Sequence, residues 1–211
     1  MYKLYWRERT GAFAPAAVMA ELDIPYEGIK LDNATREHEG AAYRALNPMA
    51  QIPTLVLPDG SIMTESAAIS LFLAESKPDN GLVPPVGHAR RAQFLRWLFF
   101  AQTNIYETDL RFSYSARYTS DPDGAEGVAA AARERFGRLW AMTADAIAGP
   151  FFFGQDFTLL DIYLAMLATW HFDPPALYAR HPVVQRLVEA TTARPAIGEL
   201  WRQYHMHAKL D

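Results

Sequence analysis

The sequence predicts an α/β segment at the amino-terminal end followed by an all-helical remainder. Three observations carry this. β-type runs and helical periods alternate up to residue 76. Residues 76–87 (SKPDNGLVPPVG) then bring three prolines and two glycines, which neither a helix nor a central strand can carry. Beyond that stretch strand signals vanish and only helical periods recur. The expected division is an α/β domain over residues 1–76, a linker over 77–88 and an all-helical domain over 89–211.

Residues 3–6 form a short β-type run. Residues 15–22 are helical, with Pro15 tolerated in the first turn. A second strand, residues 26–31, is reached through Ile24-Pro25. Residues 36–46 are helical in composition and stop at Asn47-Pro48. Residues 54–57 and 61–63 flank Pro58-Asp59-Gly60, a hairpin signal. Residues 65–75 read as a helix. Strand–helix–strand implies a parallel crossover and the hairpin adds an antiparallel pair, so the expected sheet is mixed. In the second part, residues 89–117 lack proline and place Phe94, Leu98, Ala101 and Ile105 on one helical face. Asp121-Pro122-Asp123-Gly124 breaks this run. Residues 128–147, 158–170, 183–193 and 197–207 are the further expected helices.

The 211 residues are 50% hydrophobic and 21% charged, the mix of a folded globular chain. Cysteine is absent, which excludes disulfides, thiolate metal sites and a cysteine nucleophile. A net charge of −4 offers no basic footprint for nucleic acid. The amino-terminal stretch carries Lys3, Arg7, Glu8 and Arg9 and no apolar signal core. Polar residues interrupt the apolar stretches 94–105 and 157–172, so neither is expected to span a bilayer. A soluble, cytoplasmic protein without a membrane partner is expected. His205-Met206-His207 and His171 lack further spaced ligands, and no metal site is expected.

Three segments hold the candidate chemistry. In NPMAQIPTL, Ile52-Pro53 stands immediately before a strand, where proline cannot donate to a ladder. A cis bond there would turn the chain and point the Ile52 N–H and C=O outward; a trans proline at a strand start is the commoner state. In TESAAI, Glu65 and Ser66 stand where the hairpin ends and a helix begins. N–H groups and a hydroxyl at such a start bind carboxylates or phosphates, and capping by Thr64 or Ser66 is the plainer role. In FTLLD, Thr158 and Asp161 match an S/T-x-x-D capping box before a buried helix, which assigns them a folding role.

Together these segments, the Pro/Gly linker and the run GQDFTLLDIYLA resemble the cytosolic glutathione transferases over nearly the whole chain. The resemblance implies a thioredoxin-like domain with a mixed sheet, then a helical domain, assembled as a homodimer. It implies glutathione as co-substrate and an electrophilic, partly apolar small molecule as its acceptor. By the same analogy Gln51, Ile52 and Pro53 hold the cysteinyl part of glutathione, Ile52 through its backbone at a cis proline. Glu65 and Ser66 hold the γ-glutamyl end, and His38 or Arg36 reaches the glycyl carboxylate.

In this family a group near the end of the first strand faces the glutathione sulfur. A free thiol of pKa about 8.5 is only a few per cent ionised at pH 7, and lowering it by two units takes roughly 2.7 kcal/mol. One hydroxyl hydrogen bond plus a nearby helix start is of that order. Thr10, in the loop after the first strand, is the closer hydroxyl. Tyr5 matches the tyrosine-type classes in register, and also reads as a core residue beside Leu4 and Trp6. Backbone N–H groups near Gly11 or Ala12 are the third candidate. Glu8-Arg9 stands where some serine-type classes keep a serine pair, so a scaffold without turnover is the alternative. Isomerisation or ether cleavage by the same thiolate falls within the enzyme reading, whereas mixed-disulfide chemistry on an enzyme cysteine is excluded. Tyr106, Tyr114 and Trp170 are the candidate acceptor-site residues, although most aromatic residues at helical spacing belong to the core. The apolar, arginine-bearing face of residues 90–100 is the candidate partner surface.

Overall fold

A computed structural model describes residues 1–77 and 79–206. The chain divides into two compact units, Met1–Pro85 together with the segment from Thr192, and Val86–Thr191.

The first unit is built on a four-stranded mixed sheet. β1 (Tyr2–Trp6) leads through α1 (Phe13–Glu21) to β2 (Tyr26–Lys30), and β3 (Thr54–Val56) and β4 (Ile62–Met63) form the hairpin. The strand order is β2-β1-β3-β4. β1 pairs parallel with β2 and antiparallel with β3, as the crossover and hairpin signals require. α1 is buried from Phe13 through Met19, apolar on every side. A helix of that kind needs cover beyond the sheet. α3 (Ser66–Glu75) and the last helix, α10 (Pro195–Gln203), both pack against it. The sequence reading groups residues 89–211 as one helical part; by packing, the closing helix belongs with the first unit. Among the described residues this unit is the thioredoxin-like arrangement.

Residues 36–46 are not one helix. A 3-10 turn (Glu37–Glu39) and a short α2 (Ala41–Arg44) are separated by Gly40, whose backbone is extended at φ −68°, ψ 158°. The Asp32 carboxylate accepts the Ala34 N–H at 2.9 Å and so fixes a turn that helical composition does not reveal.

The second unit is all helical: α4 (Arg91–Phe100), α5 (Glu107–Ser113), α6 (Ala125–Ala146), α7 (Leu159–Trp170), α8 (Pro174–Arg180) and α9 (Pro182–Thr192). The helical run expected over residues 89–117 is continuous from Arg91 to Ser113, with a π-helical segment, Ala101–Tyr106, between α4 and α5. α7 is buried on nearly every side and forms the centre of the unit. Thr158 and Asp161 make the expected capping box. α8 has no counterpart in the sequence reading. It starts at Asp173, whose carboxylate accepts the Ala176 N–H at 3.0 Å, with Pro174 and Pro175 in its first turn. No helix of the described residues is long and apolar enough to cross a membrane.

Candidate functional site

Strand register gathers the candidate residues of the first unit. Trp6 pairs with Lys30 on the parallel side, and Tyr5 pairs with Thr54 on the antiparallel side. Met63 pairs with Leu55. The carboxyl ends of β1, β2 and β4 therefore meet the amino end of β3 at one edge of the sheet. That edge carries the Thr10 loop, the loop toward His38, the Ile52-Pro53 bond and the Glu65-Ser66 step. An open cleft of about 550 Å³ borders the first two loops, lined by Glu8, Lys30, Asp32, Asn33 and Glu37 among others.

The Ile52-Pro53 peptide bond is cis. Among the described residues, neither main-chain group of Ile52 makes a main-chain hydrogen bond. Two side chains that sequence reasoning did not single out build this bend. The Tyr43 hydroxyl donates to the Gln51 carbonyl at 2.7 Å, and the Asn47 side-chain amide donates to the same oxygen at 2.8 Å. The Thr54 hydroxyl lies 2.8 Å from the Tyr43 hydroxyl and is fully buried. The available signals were the Asn47-Pro48 pair, read only as a helix stop, and one aromatic residue in a polar stretch. Burial pushes the Tyr43 hydroxyl above its ordinary pKa, so it stays protonated and keeps donating.

Glu65 occupies the N-cap of α3 at φ 68°, ψ 105°, and its side chain makes no capping hydrogen bond. Ser66 is 3% exposed, and its carbonyl accepts the Ser70 hydroxyl at 2.7 Å. The N–H groups at the start of a ten-residue helix attract a carboxylate.

At the other side of the edge the Thr10 hydroxyl donates to the Arg7 carbonyl at 2.8 Å. The Thr10 carbonyl accepts the Phe13 N–H and opens α1. Gly11 and Ala12 are buried, and among the described residues their N–H groups have no main-chain acceptor. Tyr5 does not share the face of Leu4 and Trp6. Strand alternation turns it the other way, where its ring meets that of Tyr43 edge-on at 5.6 Å. No hydrogen bond of the Tyr5 hydroxyl occurs among the described residues. Glu8 is ion-paired with Lys30, which outweighs burial and holds its carboxyl below the ordinary range. Arg9 adopts φ 51°. His38 lies in the 3-10 turn with its Nε2 3.6 Å from Glu39.

In the second unit Tyr106 closes the π-helical segment and meets the Trp170 ring edge-on at 5.2 Å. Trp170 is 9% exposed, and its indole N–H has no partner among the described residues. Tyr114 lies further on, at the end of α5, 42% exposed with Arg117 over its ring. Tyr106 and Trp170 are thus brought together, and Tyr114 makes a separate arginine contact. His207 lies outside the described residues. No group of three His, Asp or Glu side chains arranged for a metal occurs among the described residues.

The family model described as glutathione S-transferase, N-terminal domain, matches residues 14–76. The chain is 36% identical over 174 residues to the uncharacterized GST-like protein YncG of Escherichia coli strain K12, covering 81% of this chain and 82% of that one. It is 28% identical over 172 residues to the glutathione S-transferase GstA of E. coli O157:H7, covering 81% and 82%. A glutathione transferase homologue from Sulfitobacter, crystallised with bound glutathione, matches with a TM-score of 0.88 at 26% identity, over 96% of this chain and 98% of that one. On its strand order, its cis bond at Ile52-Pro53 and these likenesses, the chain belongs to the glutathione S-transferase family.

Proposed function

We propose that the protein is a glutathione transferase that ionises the glutathione thiol and adds it to an electrophilic, partly apolar small molecule. The observation that carries this is the shared edge of the sheet. A bend whose Ile52 main-chain groups are unpaired by other main chain stands at the same end of the sheet as the start of α3 at Glu65 and Ser66. An extended tripeptide fits such a pair. Its cysteinyl N–H and C=O complete the Ile52 hydrogen bonds as an added strand would. Its γ-glutamyl carboxylate sits at the α3 start. His38 and the loop before it hold the glycyl end.

The sulfur lies between Tyr5 and the start of α1. The Tyr5 hydroxyl makes no hydrogen bond among the described residues and can donate to a new acceptor, whereas Thr10 already donates to Arg7 and has to release that bond to serve a thiolate. The Gly11 and Ala12 N–H groups supply the positive end of α1. Each such donor favours the anion by about 1–3 kcal/mol, enough in combination for the two-unit shift the chemistry needs. Tyr106 and Trp170 are placed in the acceptor site, with Tyr114 at its rim. The glutathione-binding part is residues 1–76, joined through a linker over 77–88 to a helical acceptor part, with the closing helix α10 grouped with the first. The working assembly is a cytoplasmic homodimer through the α4 face, where Phe99 is 48% exposed and Arg96 lies 4.0 Å over Trp97. Sedimentation at the mass of one chain would remove the dimer.

The test is binding and turnover together. Glutathione at millimolar concentration should quench the intrinsic fluorescence, and no binding at that level ends the proposal. Conjugation to a reactive chloronitrobenzene should fall at least tenfold in Tyr5→Phe or Thr10→Ala if that hydroxyl is the main donor. A second reading, a scaffold that binds glutathione without turnover, is motivated by Glu8-Arg9 in place of a hydroxyl pair. It predicts normal glutathione binding and no conjugation. Isomerisation or ether cleavage by the same thiolate would appear as turnover on other acceptors, lost in the same variants.

A further inference from the structure

α10 is fastened to α1 at both ends. At its start, Arg194 bonds the Glu21 carboxylate at the end of α1, with Nε at 3.0 Å. At its finish, the Tyr204 carbonyl accepts the Arg9 N–H at 3.1 Å. The two helices therefore run antiparallel, and the closing turn of α10 lands on the loop between β1 and α1. The Tyr204 ring stacks on Trp6, the last residue of β1, with centroids 4.4 Å apart and planes at 29°. It meets Phe13, the first residue of α1, edge-on at 5.9 Å. Burial, with Tyr26 of β2 beside it, holds the Tyr204 hydroxyl above its ordinary pKa, so it stays protonated. Tyr204 is 1% exposed.

One side chain thus touches both boundaries of the loop, while its carbonyl holds the loop at the strained residue. Arg9, at φ 51°, is in a left-handed backbone region that is strained for a non-glycine residue and persists only where neighbours hold it. The Arg9 N–H bond to Tyr204 is such a hold. The direction in which Thr10, Gly11 and Ala12 present their donors follows directly from the Arg9 conformation.

We propose that Tyr204, in the closing turn of α10, is a positioning residue for thiolate formation, acting through the Arg9 main chain and the Trp6 ring to aim the start of α1 at the glutathione sulfur. This rests on the proposed transferase reading. It assigns the last helix a part in the first step of the chemistry, although α10 contributes no group to the tripeptide itself. Glutathione affinity, set by Ile52, Glu65 and Ser66, is separate from it.

The experiment compares Tyr204→Leu and Tyr204→Phe with Arg194→Ala, which releases the far end of the same helix without touching the loop. The readout is the ultraviolet titration of the bound glutathione thiol, alongside glutathione affinity. Tyr204→Leu should raise the bound-thiol pKa by about one unit, a tenfold loss of thiolate below that pKa, and leave the dissociation constant within about twofold. Tyr204→Phe keeps the ring and should stay close to wild type. Arg194→Ala should lose stability with no shift in the thiol. A wild-type thiol pKa in folded Tyr204→Leu, or an equal shift in Arg194→Ala, overturns the proposal. Should wild type fail to bind glutathione, the transferase reading falls. Amide exchange then decides the clasp by itself: Tyr204→Leu must speed exchange at Arg9 while leaving α6 unchanged, and unaltered exchange at Arg9 refutes it.

Discussion

The Asp161 carboxylate accepts the main-chain N–H of Phe152 at 2.6 Å and so ties the first turn of α7 to the turn at Phe151–Gly154 that precedes it. Its other oxygen takes the Thr158 N–H at 2.7 Å and the Thr158 hydroxyl at 2.9 Å. Asp161 is fully buried. Replacement by alanine would leave two buried main-chain donors and a hydroxyl without an acceptor. Asp161→Ala should therefore lose about 3–5 kcal/mol or fail to fold, measured as the urea midpoint. A loss under about 1 kcal/mol would show that water replaces the carboxylate.

The same carboxyl shapes the pH profile. Burial is the largest influence and pushes its pKa up to about 6, while the bonds from Phe152 and Thr158 pull the other way. The unfolded chain releases this proton near the ordinary value of 3.8, the folded chain near 6. Between those values the folded state binds more protons, so this contribution is full below that window and declines as pH rises through it. The upper bound is ~3 kcal/mol. His171 has the opposite sign. Burial lowers its pKa below 6.5, and its Nδ1 accepts the Asp173 N–H at 3.0 Å. Its contribution is full above pH 6.5 and lost as pH falls. Urea midpoints from pH 4 to 6 should decline less in Asp161→Asn than in wild type, and parallel profiles would contradict this.

Tyr43 ties stability to glutathione. Tyr43→Phe removes the donor to the Gln51 carbonyl and leaves the buried Thr54 hydroxyl short of a partner. The expected cost is about 1–2 kcal/mol of stability, with glutathione binding weakened about 3- to 10-fold by a looser Gln51–Ile52 bend. Calorimetry of both quantities checks it, and full affinity in the variant would show that Asn47 alone holds the bend.

Ser66→Ala should weaken glutathione about tenfold or more, because it removes a hydroxyl from the site proposed for the γ-glutamyl carboxylate. Binding of S-methylglutathione should weaken by the same factor, since the γ-glutamyl end and not the thiol is affected. A change in turnover alone, with affinity intact, would assign Ser66 to the sulfur instead.

Alternating periods and the Pro58-Asp59-Gly60 turn were enough to read a mixed sheet, because strand pairing there is local and its turn chemistry is explicit. The capping box of α7 was legible for the same reason: Thr158 and Asp161 lie within one helical turn. The split of residues 36–46 was hidden, since a single extended Gly40 overrides helical composition. α8 went unread because a seven-residue helix beginning Pro-Pro has little period to detect.

The site divides along the same line. Ile52, Pro53, Glu65 and Ser66 are candidates through the family resemblance, which rests on contiguous motifs; spacing alone favours a trans proline and a plain cap there. That they stand at one edge, with Tyr5 turned toward Tyr43, follows only from the register of β1 against β3. The carboxyl end of the chain contributes most unexpectedly: the Tyr204–Arg9 bond joins segments far apart in sequence, and no local preference specifies it. Local sterics and hydrogen bonding wrote the strands, turns and caps into the amino acids. Burial of the all-apolar α1 decided the rest, because a helix with no polar face can be covered only by elements that the fold brings back to it.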